Sequence, residues 1–324
     1  MKTETPLVAG GVGQTFLSAM AGENACPTMT RSRFADYVTL TKPRVAILVL
    51  FTVAAGGLLA NPSRPDLGAL LHTLLGTALV AAGASALNQL LERQSDALMR
   101  RTENRPLPSG RLQPGEVFLF GMGLGVVGLT YLAVTLRQPL CVLVAGFTFV
   151  SYVFLYTPLK RRTTLNTLVG AVPGAMPPVI GWTAMGGSLG PEVGGLFAML
   201  FLWQVPHFLA IAWIYRDDYA RAGLRMLPVV DDTGAMTARQ MLCYTLALIP
   251  VSLTPVVLHQ AGVIFAGGAI ILGLAFVLAA LGFLRQPSTT TARRVLHVSL
   301  IYLPILLALL LVECLAGTTF AWIP

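Results

Sequence analysis

The chain has 324 residues, of which 55% are hydrophobic and only 11% charged, with a mean hydropathy of +0.72. A water-soluble domain of this size needs no such apolar excess, so the composition excludes an ordinary soluble enzyme and makes a bilayer the solvent. The net charge of +8 does not point to nucleic acid, because every one of the 22 Lys and Arg residues except Arg64 and Arg137 falls in the N-terminal segment or in alternate loops, the asymmetry that the positive-inside rule produces.

Residues 1–38 are read as a poorly structured N-terminal extension. No continuous apolar stretch occurs before residue 44, and the basic residues there are matched by Glu4, Glu23 and Asp36, which argues against both a signal peptide and a mitochondrial transit peptide. The first apolar helix is then its own targeting signal. Residues 39–324 form the membrane domain. Nine apolar runs, near 44–60, 67–91, 116–136, 139–156, 165–184, 191–214, 240–258, 261–284 and 295–316, are each long enough to cross about 30 Å of hydrocarbon at about 1.5 Å per residue. The expected fold is an all-α membrane protein of nine transmembrane helices, with its N-terminus cytoplasmic and its C-terminus outside. Cys26, Cys141, Cys243 and Cys314 are too scattered for a CxxC knuckle or a disulfide framework and read as small packing residues.

Where the second helix leaves the membrane, Asn88, Glu92 and Asp96 stand at i, i+4 and i+8. At about 100° per residue they share one helix face over about 12 Å. Two carboxylates and an amide oxygen aimed at one point suit a hard cation such as Mg²⁺, whose coordination is usually completed by phosphate oxygens. Arg100, Arg101 and Arg105 follow and can receive a diphosphate. The plain alternative is a solvated helix end in which the acids pair with Arg93, Arg100 or Arg101.

Gly123, Gly125 and Gly128 fit GxGxxG but lie inside the third apolar helix with no preceding strand, so they read as packing residues and not as a dinucleotide site. Tyr156, Lys160, Arg161, Arg162 and Asn166 join the fourth and fifth helices. Arg161 and Arg162 read as topology anchors, whereas Lys160 and Asn166 are a polar pair able to reach inward. Gly170 and Gly174 are again packing glycines, and Pro173, Pro177 and Pro178 imply a broken fifth helix shielded by protein. His207, in WQVPHF of the sixth helix, is an intramembrane imidazole. It is either a functional group or a histidine satisfied by a neighbouring helix. Asp217 and Asp218 close that helix beside Arg216, Arg221 and Arg225, a second acidic cluster on the same membrane face.

The segment NQLLERQSDALMRRTENRPLPSG at residues 88–110 resembles the first aspartate-rich motif of the UbiA-type intramembrane prenyltransferases, and most closely that of the haem O synthases. TLTKPRV (39–45), YTPLKRRTTLN (156–166), GAVPGAMPPVIGW (170–182), WQVPHF (203–208) and DDYARAGLRMLPVV (217–230) extend the resemblance along the chain, while residues 1–38 carry none of it. The resemblance implies nine helices around a central cavity and two acidic motifs binding a Mg²⁺ diphosphate at its cytoplasmic end. Asn88, Glu92 and Asp96 fall on the first motif, and Asp218 with Asp217 on the second, with Glu92, Asp96 and Asp218 as metal ligands. Two positions depart from the pattern: Glu92 stands where many relatives have Asp, and Arg221 and Ala222 occupy the places where a second acid often follows. The number of metal ions is left open by that second departure.

On this likeness the chain transfers farnesyl from farnesyl diphosphate to a vinyl group of haem b, giving haem O, in a bacterial cytoplasmic membrane in preference to a mitochondrial inner membrane. Lys42, Arg44, Arg101, Arg105 and Lys160 would hold the diphosphate, His207 would bind or orient the haem, and Tyr156, Asn166 and Asp217 are further candidates. Membrane lipid, haem A synthase and oxidase assembly proteins are the candidate partners. The rival readings are prenyl transfer to an aromatic acceptor such as 4-hydroxybenzoate, and a transporter or assembly scaffold.

Overall fold

Proline placement sets where the first membrane helix begins. In the computed structural model, residues 32–316 are described, and they are helical apart from turns and loops. Helix α1 (Arg33–Thr41) starts where Ser32 Oγ accepts from the Ala35 amide and stops at Lys42. Pro43 has no N–H, and its ring would collide with the carbonyl four residues earlier, so the chain turns and restarts as α2 (Pro43–Ala60). The boundary expected at residue 38 thus falls inside a helix. Residues 1–31, Cys26 among them, lie outside the described residues.

The bundle continues with α3 (Leu67–Asp96), α4 (Pro114–Leu136), α5 (Pro139–Leu159), α6 (Asn166–Ala175), α7 (Pro177–Ala184), α8 (Pro191–Ile214), α9 (Ala235–Val257), α10 (Val263–Arg285) and α11 (Thr289–Ala316). Among the described residues, eight segments are long and apolar enough to cross a membrane: α1 with α2, then α3, α4, α5, α8, α9, α10 and α11. The fifth apolar run, at 165–184, is broken as its prolines imply: two helices join at Met176. Pro173 lies inside α6, and Pro177 and Pro178 open α7 without amide donors. Every residue of α7 is buried, so the interrupted backbone is covered by protein as the hydrocarbon requires.

With no hydrophobic gain from joining helices in lipid, close van der Waals approach has to hold them together, and small residues permit it. A Cβ on Gly56 would strike the Pro178 carbonyl, and one on Gly181 the Val53 carbonyl, which locks α2 against α7. Between α3 and α4, a Cβ on Gly83 would lie 2.5 Å from the Gly121 carbonyl, and one on Gly128 would lie 2.9 Å from that of Gly76. Gly125 faces the Phe149 ring, but Gly123 faces open space, so two of the three glycines singled out in α4 pack as expected. Cys141 is buried as expected, whereas Cys243 is exposed on α9.

Two clusters hold most of the apolar interior. A larger cluster joins α2 to α6–α11 through Trp182, Trp203, Trp213, Phe265, Phe276 and Tyr302; a smaller one joins α3–α5 through Val80, Leu87, Leu132 and Phe149. Helix α5 widens to a π-helical turn at Ser151–Tyr156 just before Pro158, a local irregularity that often marks functional sites.

Candidate active site

The last three turns of α3 carry Asn88, Glu92 and Asp96 on one face, as their spacing requires, and each meets a polar partner from another segment. Lys42 Nζ donates to Asn88 Oδ1 at 3.3 Å, and Asn88 Nδ2 donates to Thr157 Oγ1 at 3.1 Å. Lys160 Nζ lies 2.6 Å from Glu92 Oε1, and Arg105 Nη1 lies 2.6 Å from Asp96 Oδ2. Lys42 sits close enough to interact with the charges of Arg105, Glu92, Lys160 and Asp96. The Lys160 ammonium also lies over the Tyr156 ring, 4.5 Å from its centroid. Burial opposes its charge, but the Glu92 carboxylate and the Tyr156 and Tyr152 side chains outweigh that, and the Lys160 pKa is raised well above the ordinary lysine value.

Three cations and two carboxylates leave one net positive charge at the mouth of the bundle, so the cluster favours an anion. It also keeps a free acceptor: Asp96 Oδ1 is buried and without a hydrogen-bond partner. Among the described residues, no three His, Cys, Asp or Glu side chains gather closely enough to hold a metal ion by themselves. Two carboxylates, one with an unused oxygen, nevertheless fit Mg²⁺ that arrives with a diphosphate, because such an ion takes one or two protein carboxylates and draws its remaining oxygens from phosphate and water.

The second acidic cluster meets the first through its neighbours. Arg101 lies over the Tyr215 ring with its guanidinium 4.9 Å from the centroid, and donates to Tyr219 Oη at 3.5 Å. Met99 packs with Ala222, Leu224 and Met226. The Arg225 amide donates to the Lys160 carbonyl at 2.8 Å. Asp218 is ion-paired with Arg221, while Asp217 is almost wholly exposed and only 3.8 Å from Arg216. Asp218 does not join Glu92 and Asp96 in one ligand set. Asn166 is also placed differently from the inward-reaching partner of Lys160: its amide donates to the Thr163 and Arg225 carbonyls and ties α6 to the loop between α8 and α9. Arg44 is exposed, with no side-chain hydrogen bond or ion pair among the described residues.

From Lys42 an apolar cavity of about 240 Å³ runs inward between α2, α3, α5 and the broken α6–α7 pair, past Tyr152, Phe149, Ala84, Pro177 and Ile180. Tyr152 and Thr157 were not singled out from the sequence. The signal present was Pro158, which forbids a regular helix through YTPL and so allows the wide turn that brings Thr157 to Asn88.

His207 stands on α8, about 10 Å before the helix end, stacked on Trp203 at 4.9 Å between ring centroids. Its Nδ1 is 2.8 Å from Ser299 Oγ on α11, and Trp203 Nε1 donates to the Ser299 carbonyl at 2.8 Å. Ser299 Oγ itself donates to the Leu296 carbonyl at 2.7 Å, so it accepts from His207 Nδ1–H. That leaves the Nε2 lone pair without a partner among the described residues.

An anion-seeking cluster at the mouth of a helical cavity is matched by what the chain is similar to. Residues 49–321 match the UbiA prenyltransferase family. The chain belongs to that family. Curated relatives include the protoheme IX farnesyltransferase of Solibacter usitatus (strain Ellin6076), 47% identical over 86% of this chain and 98% of its own length, and that of Salinibacter ruber (strain DSM 13855 / M31), 46% identical over 86% and 98%. The fold of a digeranylgeranylglyceryl phosphate synthase superposes with a TM-score of 0.74 at 18% identity, covering 87% of this chain and 99% of that one. A UbiA homologue from Archaeoglobus fulgidus bound to GPP and Mg²⁺ superposes at 0.56 and 14% identity, covering 85% and 99%. This UbiA member is thus an integral, multi-pass prenyltransferase.

If the Asn88–Thr157 bond aligns the amide, Thr157→Val, nearly isosteric but without the hydroxyl, should lower kcat/KM for prenyl transfer about tenfold while unfolding cooperatively near the wild-type temperature. Steady-state kinetics on purified protein alongside a thermal melt checks this, and unchanged kinetics would reduce Thr157 to a packing residue.

Proposed function

We infer that the chain is a protohaem IX farnesyltransferase. The observation that carries this reading is the mixed cluster of Lys42, Arg105, Lys160, Glu92 and Asp96 at the head of an apolar cavity, in a chain nearly half identical over its length to relatives of that name. A prenyl diphosphate has the matching shape: a polyanionic head for the cluster and an isoprenoid tail for the cavity.

Mg²⁺, when bound with the diphosphate, would supply charge neutralisation at the leaving oxygens. Glu92 and Asp96 would hold it, Asp96 through its unused oxygen. Asp218, which would have to leave Arg221, is an additional ligand in this proposal. Lys42, Arg105 and Lys160 contribute most as the C1–O bond breaks, because charge builds up on the leaving diphosphate and strengthens those contacts in the transition state. The apolar walls keep water from the allylic cation. The haem vinyl carbon then bonds to C1, and water adds to the resulting cation with loss of a proton, giving a hydroxyethylfarnesyl group. His207, with Nδ1–H committed to Ser299, offers Nε2 for binding or orienting haem b. Arg101, Tyr156, Asn166 and Asp217 stand as supporting groups, and Arg44, exposed near the mouth, is available to an incoming diphosphate.

The α6–α7 pair supplies the ninth crossing in this proposal, and the positive-inside distribution puts the mouth and N-terminus in the cytoplasm of a bacterium with the C-terminus outside. A transporter would need paired broken helices in both halves. Here the acids of the two clusters, Glu92, Asp96, Asp217 and Asp218, lie at the same end of the bundle, which favours the enzyme.

Asp96→Asn should reduce farnesyl transfer a hundredfold or more, about the effect of deleting one transition-state electrostatic group, and EDTA should stop the wild type until Mg²⁺ is returned; full activity in Asp96→Asn sinks the metal assignment. Mass spectrometry of the product should show farnesylated haem, and His207→Ala should weaken or shift the Soret band formed with haem b. Prenylated 4-hydroxybenzoate with unmodified haem would refute the acceptor. For orientation, cysteines introduced at Ser63 and Ser109 should be labelled and protected, respectively, in intact cells exposed to an impermeant maleimide, and the reverse pattern would invert the topology.

A further inference from the structure

Lys42 is one of only three non-glycine residues with positive φ among those described, at φ 48° and ψ 60°. A left-handed conformation costs a lysine roughly 1–2 kcal/mol, and it survives only where the surroundings impose it. The elbow between α1 and α2 is imposed from α3. Pro43 ends α1 and leaves the Leu40 carbonyl without its usual amide partner. Two buried side chains of α3 fill that place together: Ser85 Oγ donates to the Leu40 carbonyl at 2.8 Å and Gln89 Nε2 at 2.9 Å. They flank Asn88, whose own side chain receives the Lys42 ammonium. The far end of α1 is also tied down, by Asp36 to Arg111 at 3.0 Å.

We propose that Ser85 and Gln89 are positioning residues for Lys42: their joint grip on the Leu40 carbonyl holds the elbow in the left-handed turn that delivers the Lys42 ammonium to Asn88 and the mouth of the cavity. One donor would satisfy an orphan carbonyl. Two donors, one helical turn apart, with the lysine's own partner between them, fix direction as well. The proposal rests on the prenyl diphosphate reading of that site, and it makes these two residues determinants of diphosphate affinity although Gln89 does not line the cavity and the Ser85 hydroxyl, at the cavity wall, is spent on the Leu40 carbonyl.

The test is a double-mutant cycle on the purified full chain with Mg²⁺, reading KM for farnesyl diphosphate, kcat with haem b, and farnesyl diphosphate binding by calorimetry. Ser85→Ala combined with Gln89→Leu should raise KM and Kd about tenfold, with a smaller change in kcat. Ser85→Thr, which keeps a hydroxyl, should retain wild-type values. In a Lys42→Met background, the same Ser85 and Gln89 changes should add no more than about twofold, because their effect passes through Lys42. An unchanged KM in the Ser85/Gln89 variant, or the same fold-loss in both backgrounds, overturns the proposal. Gln89→Leu alone carries the same comparison if the pair does not purify. Failure of the wild type to bind farnesyl diphosphate at all would overturn the proposed function and this role with it.

Discussion

Charge held at the edge of hydrocarbon is the constraint on which the rest of the structure depends. Asp96 is almost completely buried and Glu92 nearly so, and an ionised carboxylate in that position is tolerated only when a cation and hydrogen bonds compensate it. Lys160 arrives from the end of α5 and Arg105 from the loop after α3. The Glu92–Lys160 pair therefore joins α5 to α3 across 68 residues of chain, and the Asp96–Arg105 pair folds the following loop back onto the end of α3. They also preserve a site with an excess of positive charge and one unused carboxylate oxygen, which is the state a polyanion with its own metal ion would seek.

The helices bring those groups together because glycine lets backbones touch. Gly56 and Gly181 press α2 onto α7, and the glycines of α3 and α4 do the same on the other side. The cavity is what remains between these tight seams, where the prolines of α6 and α7 prevent the broken helix from filling the space. In this arrangement packing and function are continuous: Gly174 both borders the cavity and leaves room for the Gln204 side chain, and Gly170 leaves room for the Tyr156 ring that lies under the Lys160 ammonium.

His207 belongs to a second polar arrangement, made between α8 and α11. Its ring is stacked on Trp203 and hydrogen-bonded to Ser299, whose carbonyl is in turn held by Trp203. Such a network fixes a tautomer, with Nδ1–H committed to Ser299 and the lone pair on Nε2. The mixed-charge cluster and the imidazole are thereby built on different elements, the first on α3, α5 and the α1–α2 elbow and the second on α8 and α11.

Much was legible in the amino-acid order alone. Helix-length apolar runs, the one-sided distribution of Lys and Arg, and the shared face of Asn88, Glu92 and Asp96 all follow from local periodicities, and local periodicity is what a linear sequence records. The break at Met176 was legible for the same reason, since proline acts on its own helix. What tertiary structure alone decided is which partner each group takes. The solvated-helix-end alternative had Glu92 and Asp96 pairing with Arg93, Arg100 or Arg101, but they pair with Lys160 and Arg105. Asn166 turns to backbone carbonyls, and Asp217 stays in solvent. Thr157, Ser85 and Gln89 acquire their roles only when α5 and the α1–α2 elbow are laid against α3. Hydrogen bonds and ion pairs act over about 3 Å in space, and the segments that come that close are selected by helix packing, which no local pattern encodes.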